Sequence, residues 1–408
     1  MMFGRILTLM LLISGIEAEA AELMARITDA PAGAVIDLDG RSLAGPIIID
    51  RPLTLRNGRI EGDGTGSVVT IAATDVILEN LEITGSGLSL ESMDAGVRIT
   101  ADGDRGVIRD SRILNNLIGV HLEGPNDALV ENNLIEGRRD LRMNERGNGV
   151  YVWNTPGSVV AGNTIRHGRD GIFANTSRKN IFRDNRFENL RFAVHYMYTN
   201  KSTVAGNVSI GNHIGFALMY SKFVEVLNNR SIGDRDHGIM LNYTNSSTIL
   251  GNIVEGSSTA DGPEKCVFIY NSNKNSFSHN RFAGCDIGVH FTAGSERNEI
   301  WANAFIGNAH QVKYVGSRWL DWSKDGTGNY WSDNAGIDLD GDGRADQPYR
   351  PNDLVDHLVW RQPLAALLLN SPAVQLLRWA QSRFPGLMPG GVIDRHPLMN
   401  AAAAGGPA

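Results

Sequence analysis

Apolar and polar positions along this chain repeat on two scales at once. Over a few residues they alternate, as in Val120-His-Leu122, Val150-Tyr-Val152 and Val194-His-Tyr196. Over a longer span the triplets Asn133-Leu-Ile135, Asn163-Thr-Ile165, Asn185-Arg-Phe187, Asn207-Val-Ser209, Asn229-Arg-Ser231, Asn252-Ile-Val254, Asn280-Arg-Phe282 and Asn303-Ala-Phe305 lie 30, 22, 22, 22, 23, 28 and 23 residues apart. The repeating unit is therefore about 22 residues, a solenoid period.

About six residues after each triplet stands a small residue with a strand behind it, as in Gly119-Val-His-Leu122, Gly171-Ile-Phe-Ala174, Ala193-Val-His-Tyr196, Gly238-Ile-Met-Leu241 and Gly288-Val-His-Phe291. A third short run, such as Ser158-Val-Val-Ala161 or Ser247-Thr-Ile-Leu250, precedes the next asparagine. Three strands this short cannot bury an inner face alone and must stack on neighbouring turns. The pattern predicts an all-β chain, a right-handed parallel β-helix of about 10 to 12 rungs. Asparagine at one fixed corner predicts a ladder of stacked amides, each also accepting the left-handed backbone of the corner. Two rungs carry insertions, residues 138–147 (RRDLRMNERG) and 257–264 (SSTADGPE), both between the triplet and the glycine strand. These loops read either as functional additions on one edge or as neutral variation.

Within the glycine strand, Val120/Leu122, Val150/Val152, Val194/Tyr196, Ile239/Leu241 and Val289/Phe291 must point inward, so their neighbours point outward. Those neighbours include His121, Tyr151, Phe173, His195, Met240, Phe268 and His290, and one step on, Trp153, Met197, Met219 and Tyr270. A solvated sheet face should carry Lys, Glu, Ser and Thr. Met197 and Met219 stand one repeat apart, which predicts sulfurs about 4.8 Å apart on adjacent rungs, with His195 about 7 Å along the strand. Thioether and imidazole suit Cu(I), so His195, Met197, Met219, Met240 and His290 are candidate copper contacts. Two other readings stand beside this one. A loop or partner protein covers the face, or its rings stack on sugars as in carbohydrate-active β-helices. For a sugar enzyme, Asp170, Asp236 with His237, and Asp286 lie just ahead of their strands, whereas hydrolysis needs paired carboxylates.

The 408 residues carry 46 glycines and a net charge of −7, so turns abound and no basic stripe exists to neutralise nucleic-acid phosphates. Arg5, an apolar run to Ile16 and Ala18-Glu-Ala20 predict a signal peptide over residues 1–20, hence export and a periplasmic location. The β-helix is assigned to residues 21–316, followed by a Trp- and Asp-rich cap over 317–351 and C-terminal helices with a flexible tail over 352–408. The only two cysteines, Cys266 and Cys285, are 19 residues apart, which brings them near each other on successive rungs and permits a disulfide in an oxidising compartment. In the cap, Asp338, Asp340 and Asp342 with Asp346 read either as a calcium loop or as a turn. The twelfth position of that loop is Tyr349 rather than the expected Glu. The segments 352–369 and 371–384 predict helices, the second capped by Ser371 with Pro372 in its first turn.

Taken together, Arg191-Phe-Ala-Val-His-Tyr-Met-Tyr198, Gly215-Phe-Ala-Leu-Met-Tyr220, Gly238-Ile-Met-Leu-Asn-Tyr243, Val289-His-Phe-Thr-Ala-Gly294, Asn329-Tyr-Trp-Ser-Asp333 and Ser371-Pro-Ala373 resemble the NosD family. These are periplasmic β-helix proteins of nitrous oxide reductase maturation. The resemblance implies a non-enzymatic role beside an ABC transporter, its permease and ATPase, in maturing the copper–sulfur centre of nitrous oxide reductase. It implies inner-membrane association through that partner, with the reductase and a copper chaperone lipoprotein as further partners. It assigns no copper ligand, so the copper positions rest on the outward face alone.

Overall fold

The computed structural model describes residues 23–256, 264–292, 294–314, 316, 318–369, 371–384 and 390–404. The expected signal peptide and nearly all of the 257–264 insertion lie outside them. The chain winds as a parallel β-solenoid of about thirteen turns, against the expected 10 to 12. Toward the N-terminus strands such as Leu53–Glu61 and Ile77–Thr84 are longer and the 22-residue period is lost.

The solenoid divides after Ser202 into two compact units. In the first, the glycine strands Ala95–Ile99, Ile118–Glu123, Val150–Trp153, Asp170–Asn175 and Phe192–Met197 pair in parallel register, His121 on Tyr151, Tyr151 on Phe173 and Phe173 on His195. In the second, Ile214–Met219, His237–Asn242, Lys265–Tyr270, Ile287–Phe291 and His310–Tyr314 do the same. The alternation fixes the core. Val120, Leu122, Val152, Val194 and Tyr196 in one unit, and Leu218, Ile239, Leu241 and Val267 in the other, are buried inside the coil.

The corner asparagines form the expected ladders. In the first unit the Asn133 side chain donates to Asn163 Oδ1 at 3.0 Å, and Asn163 to Asn185 at 3.0 Å. In the second unit a ladder runs from Asn207 through Asn229, Asn252, Asn280 and Asn303 to Asn329, with amide contacts of 2.8 to 3.0 Å. Each rung also receives the backbone N–H of the asparagine before it, as Asn229 N donates to Asn252 Oδ1 at 2.9 Å. The left-handed backbone is not on these asparagines, contrary to expectation. It falls one residue earlier, on Asn132, Gly162, Asp184, Gly206, Asn228, Gly251, His279 and Ala302. The corner needs one residue to reverse the chain and the next to point its amide inward, and these are separate tasks.

Two boundaries differ from the sequence reading. Solenoid pairing runs past residue 316, because Tyr330–Trp331 pairs with Ala304–Ile306 and Asn329 is a ladder rung. The segment after the helices is not a loose tail throughout, because Gly391–Ile393 pairs with Trp319–Asp321 and buried Asp394 accepts from Asn329 N at 2.6 Å and Trp331 Nε1 at 2.8 Å. Between them, the helix Leu354–Arg361 opens on an Asp353/Asp356 capping box, a 3-10 turn spans Pro363–Leu368, and the helix Pro372–Arg383 is capped by Ser371. Cys266 and Cys285 form a disulfide with a Cα separation of 5.7 Å.

Asn229→Ala would remove the Oδ1 that the Asn207 amide donates to and leave Val204 O and Asn252 Oδ1 without this side-chain donor, all deep in the corner. Stability should fall by about 3 kcal/mol, read as a lower denaturation midpoint in urea. Asp234 holds a similar corner place, accepting from Asn212 N at 2.8 Å and Ser231 Oγ at 2.6 Å. Burial pushes its carboxyl up to about 6 against hydrogen bonds that pull it down. A raised folded-state value favours the neutral form, so its stabilising contribution is full below about pH 4 and fades as the pH rises through about 6. Asp234→Asn, the residue that Asn308 provides at the matching place beside Cys285, should gain on the order of 2 kcal/mol at pH 7.5. Little gain should appear at pH 4 in paired thermal melts.

Candidate functional site

The outward column of the first unit is a continuous stack of rings. His121 lies 5.0 Å from Tyr151, Tyr151 5.2 Å from Phe173, and Phe173 4.7 Å from His195, the rings of the first two pairs nearly parallel. In-register strands place equal positions one above another, so a row of imidazoles and phenyl rings in sequence becomes a stack in space. The column points out of the coil, yet it is not exposed: His121, Tyr151 and His195 are 3, 9 and 7% accessible. Part of its cover is residues 86–94, which sequence reasoning had not singled out, through Met93 packed against Tyr151, while Leu90 and the end of the 138–147 insertion line the space beside it.

The cover is tied down at several points. Gly87 N donates to Gly66 O at 2.9 Å, Ser86 N to Asn116 Oδ1 at 3.1 Å, and Ser89 N to Asp94 Oδ2 at 2.9 Å. This sets Met93 against Ala95, Ile118 and Tyr151, with Phe173 beside them. Under the cover lies a cavity of about 360 Å³ lined by Leu90, Met93, Arg169, Asp170, His195 and Met197 among others.

Asp170 organises one wall. It receives Arg191 Nε at 2.8 Å and Nη2 at 2.7 Å, and its Oδ2 lies 3.0 Å from His195 Nδ1. Burial opposes its ionisation, but the hydrogen bonds from His195 and Arg191 and the guanidinium charge outweigh it and hold the carboxyl below its ordinary range. A carboxylate can only accept, so His195 Nδ1 carries a proton and Nε2 is the ring nitrogen left for another partner. Nε2 is buried without a hydrogen-bond partner. Among the described residues Asp170 is the only carboxylate lining the cavity, and they do not form the spaced acid pair of a glycosidase there. Sequence spacing could have found the Asp170 and Arg191 pair, since Arg191 immediately precedes Phe192, the register partner of Asp170.

The other candidates take different places. Met197 aligns with Asn175 in the first unit, and Met219 with Asn242 in the second. Met240 aligns with Ala217 and Phe268, and the Phe268 ring lies 5.2 Å from His290. All four side chains are half-buried. Burial, with Lys313 and Lys265 adding repulsion, pushes the His290 imidazole down to about 4, so it is neutral and able to bind metal at neutral pH. Beside them, Tyr220 and Tyr243 stack at 5.2 Å in an exposed row.

In the expected calcium loop, Asp338, Asp340 and Asp342 bring carboxylate oxygens within 4.8 Å of one another. Backbone N–H groups already engage them: Gly341 and Gly343 donate to Asp338, and Asp342 N to Asp340. Asp346 is not in the group and instead accepts from Leu339 N at 3.0 Å. Tyr349, at the twelfth place, is largely buried beside Trp331 rather than turned to the loop. The segment has the bonding of an Asp and Gly turn, and calcium is not carried further.

No helix among the described residues is long and apolar enough to cross a membrane. The profile of a family described as "Periplasmic copper-binding protein (NosD)" matches residues 131–336. A protein of Pseudomonas aeruginosa named "Probable ABC transporter binding protein NosD" is 43% identical over 88% of this chain and 87% of its own length. A protein of the same name from Stutzerimonas stutzeri is 40% identical over 97% of this chain and 94% of its own length. In fold, the A-module of the mannuronan C-5 epimerase AlgE6 of Azotobacter vinelandii matches with a TM-score of 0.56 at 11% identity, over 71% of this chain and 89% of that one. That last likeness concerns the β-helix alone. With sequence identity of this extent over nearly its whole length, the chain belongs to the NosD family.

Proposed function

We propose that this chain is a periplasmic accessory protein of an ABC transporter, acting in maturation of the copper–sulfur centre of nitrous oxide reductase and handling Cu(I) as cargo. The observation that carries the copper part is His195, whose Nδ1 is fixed by Asp170 while Nε2 is buried without a partner. An imidazole oriented by a carboxylate behind it is how proteins present histidine to a metal. Met197 supplies a thioether beside it, and Met219, Met240 and His290 repeat the same donor types in the second unit. Soft sulfur and imidazole donors select Cu(I) over hard cations. The family description as copper-binding and periplasmic supports this reading.

The transporter part draws support from the names of the two relatives and from the C-terminal helices. There, Leu364 and Leu367 are 82 and 85% exposed, with Leu376, Trp379 and Phe384 also open to solvent. Apolar side chains gathered on two short helices call for a partner, and the permease is the partner this reading assigns to them.

Two experiments test these parts separately. Purified protein titrated with Cu(I) against a competing chelator should bind copper, and Met197→Ala combined with Met219→Ala should weaken binding by about ten-fold or more; unchanged affinity removes thioether contact from the reading. Leu364→Ser with Leu367→Ser should keep the β-sheet spectrum yet lower co-purification of the permease by about five-fold or more. In the same strain the reductase should be exported but short of its copper–sulfur centre. Normal reductase in a strain lacking this protein altogether counts against the maturation role.

A further inference from the structure

The cavity under residues 86–94 contains more donor chemistry than the outward strand face alone provides. Its lining includes two methionines, Met197 from the strand Phe192–Met197 and Met93 from the cover, and one histidine, His195. Thioethers accept weakly and cannot satisfy the buried His195 Nε2 by hydrogen bonding, so packing leaves that lone pair unmet. Leaving it so is costly unless something binds there.

We propose that this cavity is a Cu(I) site, with His195 Nε2, Met197 Sδ and Met93 Sδ as its three donors and Asp170 as the residue that positions His195. The proposal rests on the copper reading above and deepens it by fixing where the ion sits and by adding Met93. Three neutral donors, one nitrogen and two thioethers, form a soft set suited to a d¹⁰ monovalent ion. The charge of the walls points the same way. Asp170 balances Arg191, and the Arg146 guanidinium faces the Asp140 carboxylate as well as backbone carbonyls. Arg169 is left without a carboxylate partner among the described residues, and its Nε is buried and unbonded. One uncompensated positive charge in a confined space penalises a divalent ion twice as heavily as a monovalent one. Zn²⁺ and Cu²⁺ are thereby disfavoured relative to Cu(I).

Met93 also explains a feature of the cover. A segment needed only to shield rings could use any apolar residue, whereas this one sets a methionine against Ala95, Ile118 and Tyr151, in the lining of the cavity that His195 also lines. The ion would be enclosed on the strand side by Met197 and His195 and on the cover side by Met93.

The test uses the whole exported protein, anaerobic, with Cu(I) alone as the probe and bicinchoninate as competitor, together with copper K-edge absorption. The expected result is one tightly held ion with one nitrogen and two sulfur neighbours. Met93→Leu, close in volume, should lower affinity by about ten-fold or more and remove one sulfur from the copper shell, while the melting curve stays put. Met197→Leu is the second arm and should do the same, so the site remains testable even if Met93→Leu disturbs the cover. Asp170→Asn should weaken binding by about ten-fold while leaving both sulfurs in the shell, as expected of a positioning residue. If the protein binds Cu(I) but Met93→Leu and Met197→Leu both keep full affinity and an unaltered shell, this site is wrong while the copper reading survives. Absence of any Cu(I) binding by the unsubstituted protein overturns both.

Discussion

Everything in this protein hangs on parallel strands of three to six residues stacking in register at about 4.8 Å. A single turn has too little inner surface to hold itself together, and its corners leave backbone groups that the next turn must meet. The asparagine ladders meet them: each side chain donates to the following amide and accepts the preceding backbone N–H. Register is thereby pinned at the corner rather than along the strands. A slip of one residue would unmake every rung and turn the buried aliphatic side chains to the outside.

Pinned register is also what converts sequence rows into columns. The ring stack from His121 to His195 follows from the same constraint as the ladder. Such a column, bare, would be an adhesive surface, and in the first unit residues 86–94 lie over it. Covering a histidine removes its water, so each buried imidazole either finds protein partners or is left with an open nitrogen. His195 has both outcomes in one ring, an anchored Nδ1 and an unbonded Nε2. That asymmetry distinguishes it from His121, which packs in the same stack and is held neutral by burial, its value pushed down to about 4, with no carboxylate bonded to it.

The repeat was legible because each turn solves the same problem with the same residue types, so the Asn133 to Asn303 series and the inward aliphatic pairs could be read directly from spacing. Less was legible where a turn departs from the pattern. Residues 86–94 have no periodicity, and nothing local says that Met93 returns to Tyr151; only the tertiary path of the cover does. The pairing of Asp170 with Arg191 was readable in principle from register, but Asp170 alone looks like a turn residue. The left-handed corner residue was misassigned because asparagine tolerates that conformation, and tolerance was taken for use: the ladder amides are spent elsewhere, and Gly162 or Ala302 turns the chain instead. The aspartates Asp338, Asp340 and Asp342 were legible as a group that converges, and what spacing did not show is that their oxygens also accept the backbone N–H groups of the turn.

The second ladder does not end on another asparagine. Its last rung, Asn329, donates its backbone N–H to Asp394, sixty-five residues further along the chain. Each earlier coil can set as soon as the following one has been made, in the manner of a zip. The terminal coil cannot, because its fastening arrives only with the far end of the polypeptide. Ribosomal synthesis or membrane passage that begins at the N-terminus would therefore deliver a body already wound but unlocked at its end. Shortening the protein by a few dozen residues would leave every repeat intact while depriving the array of its latch.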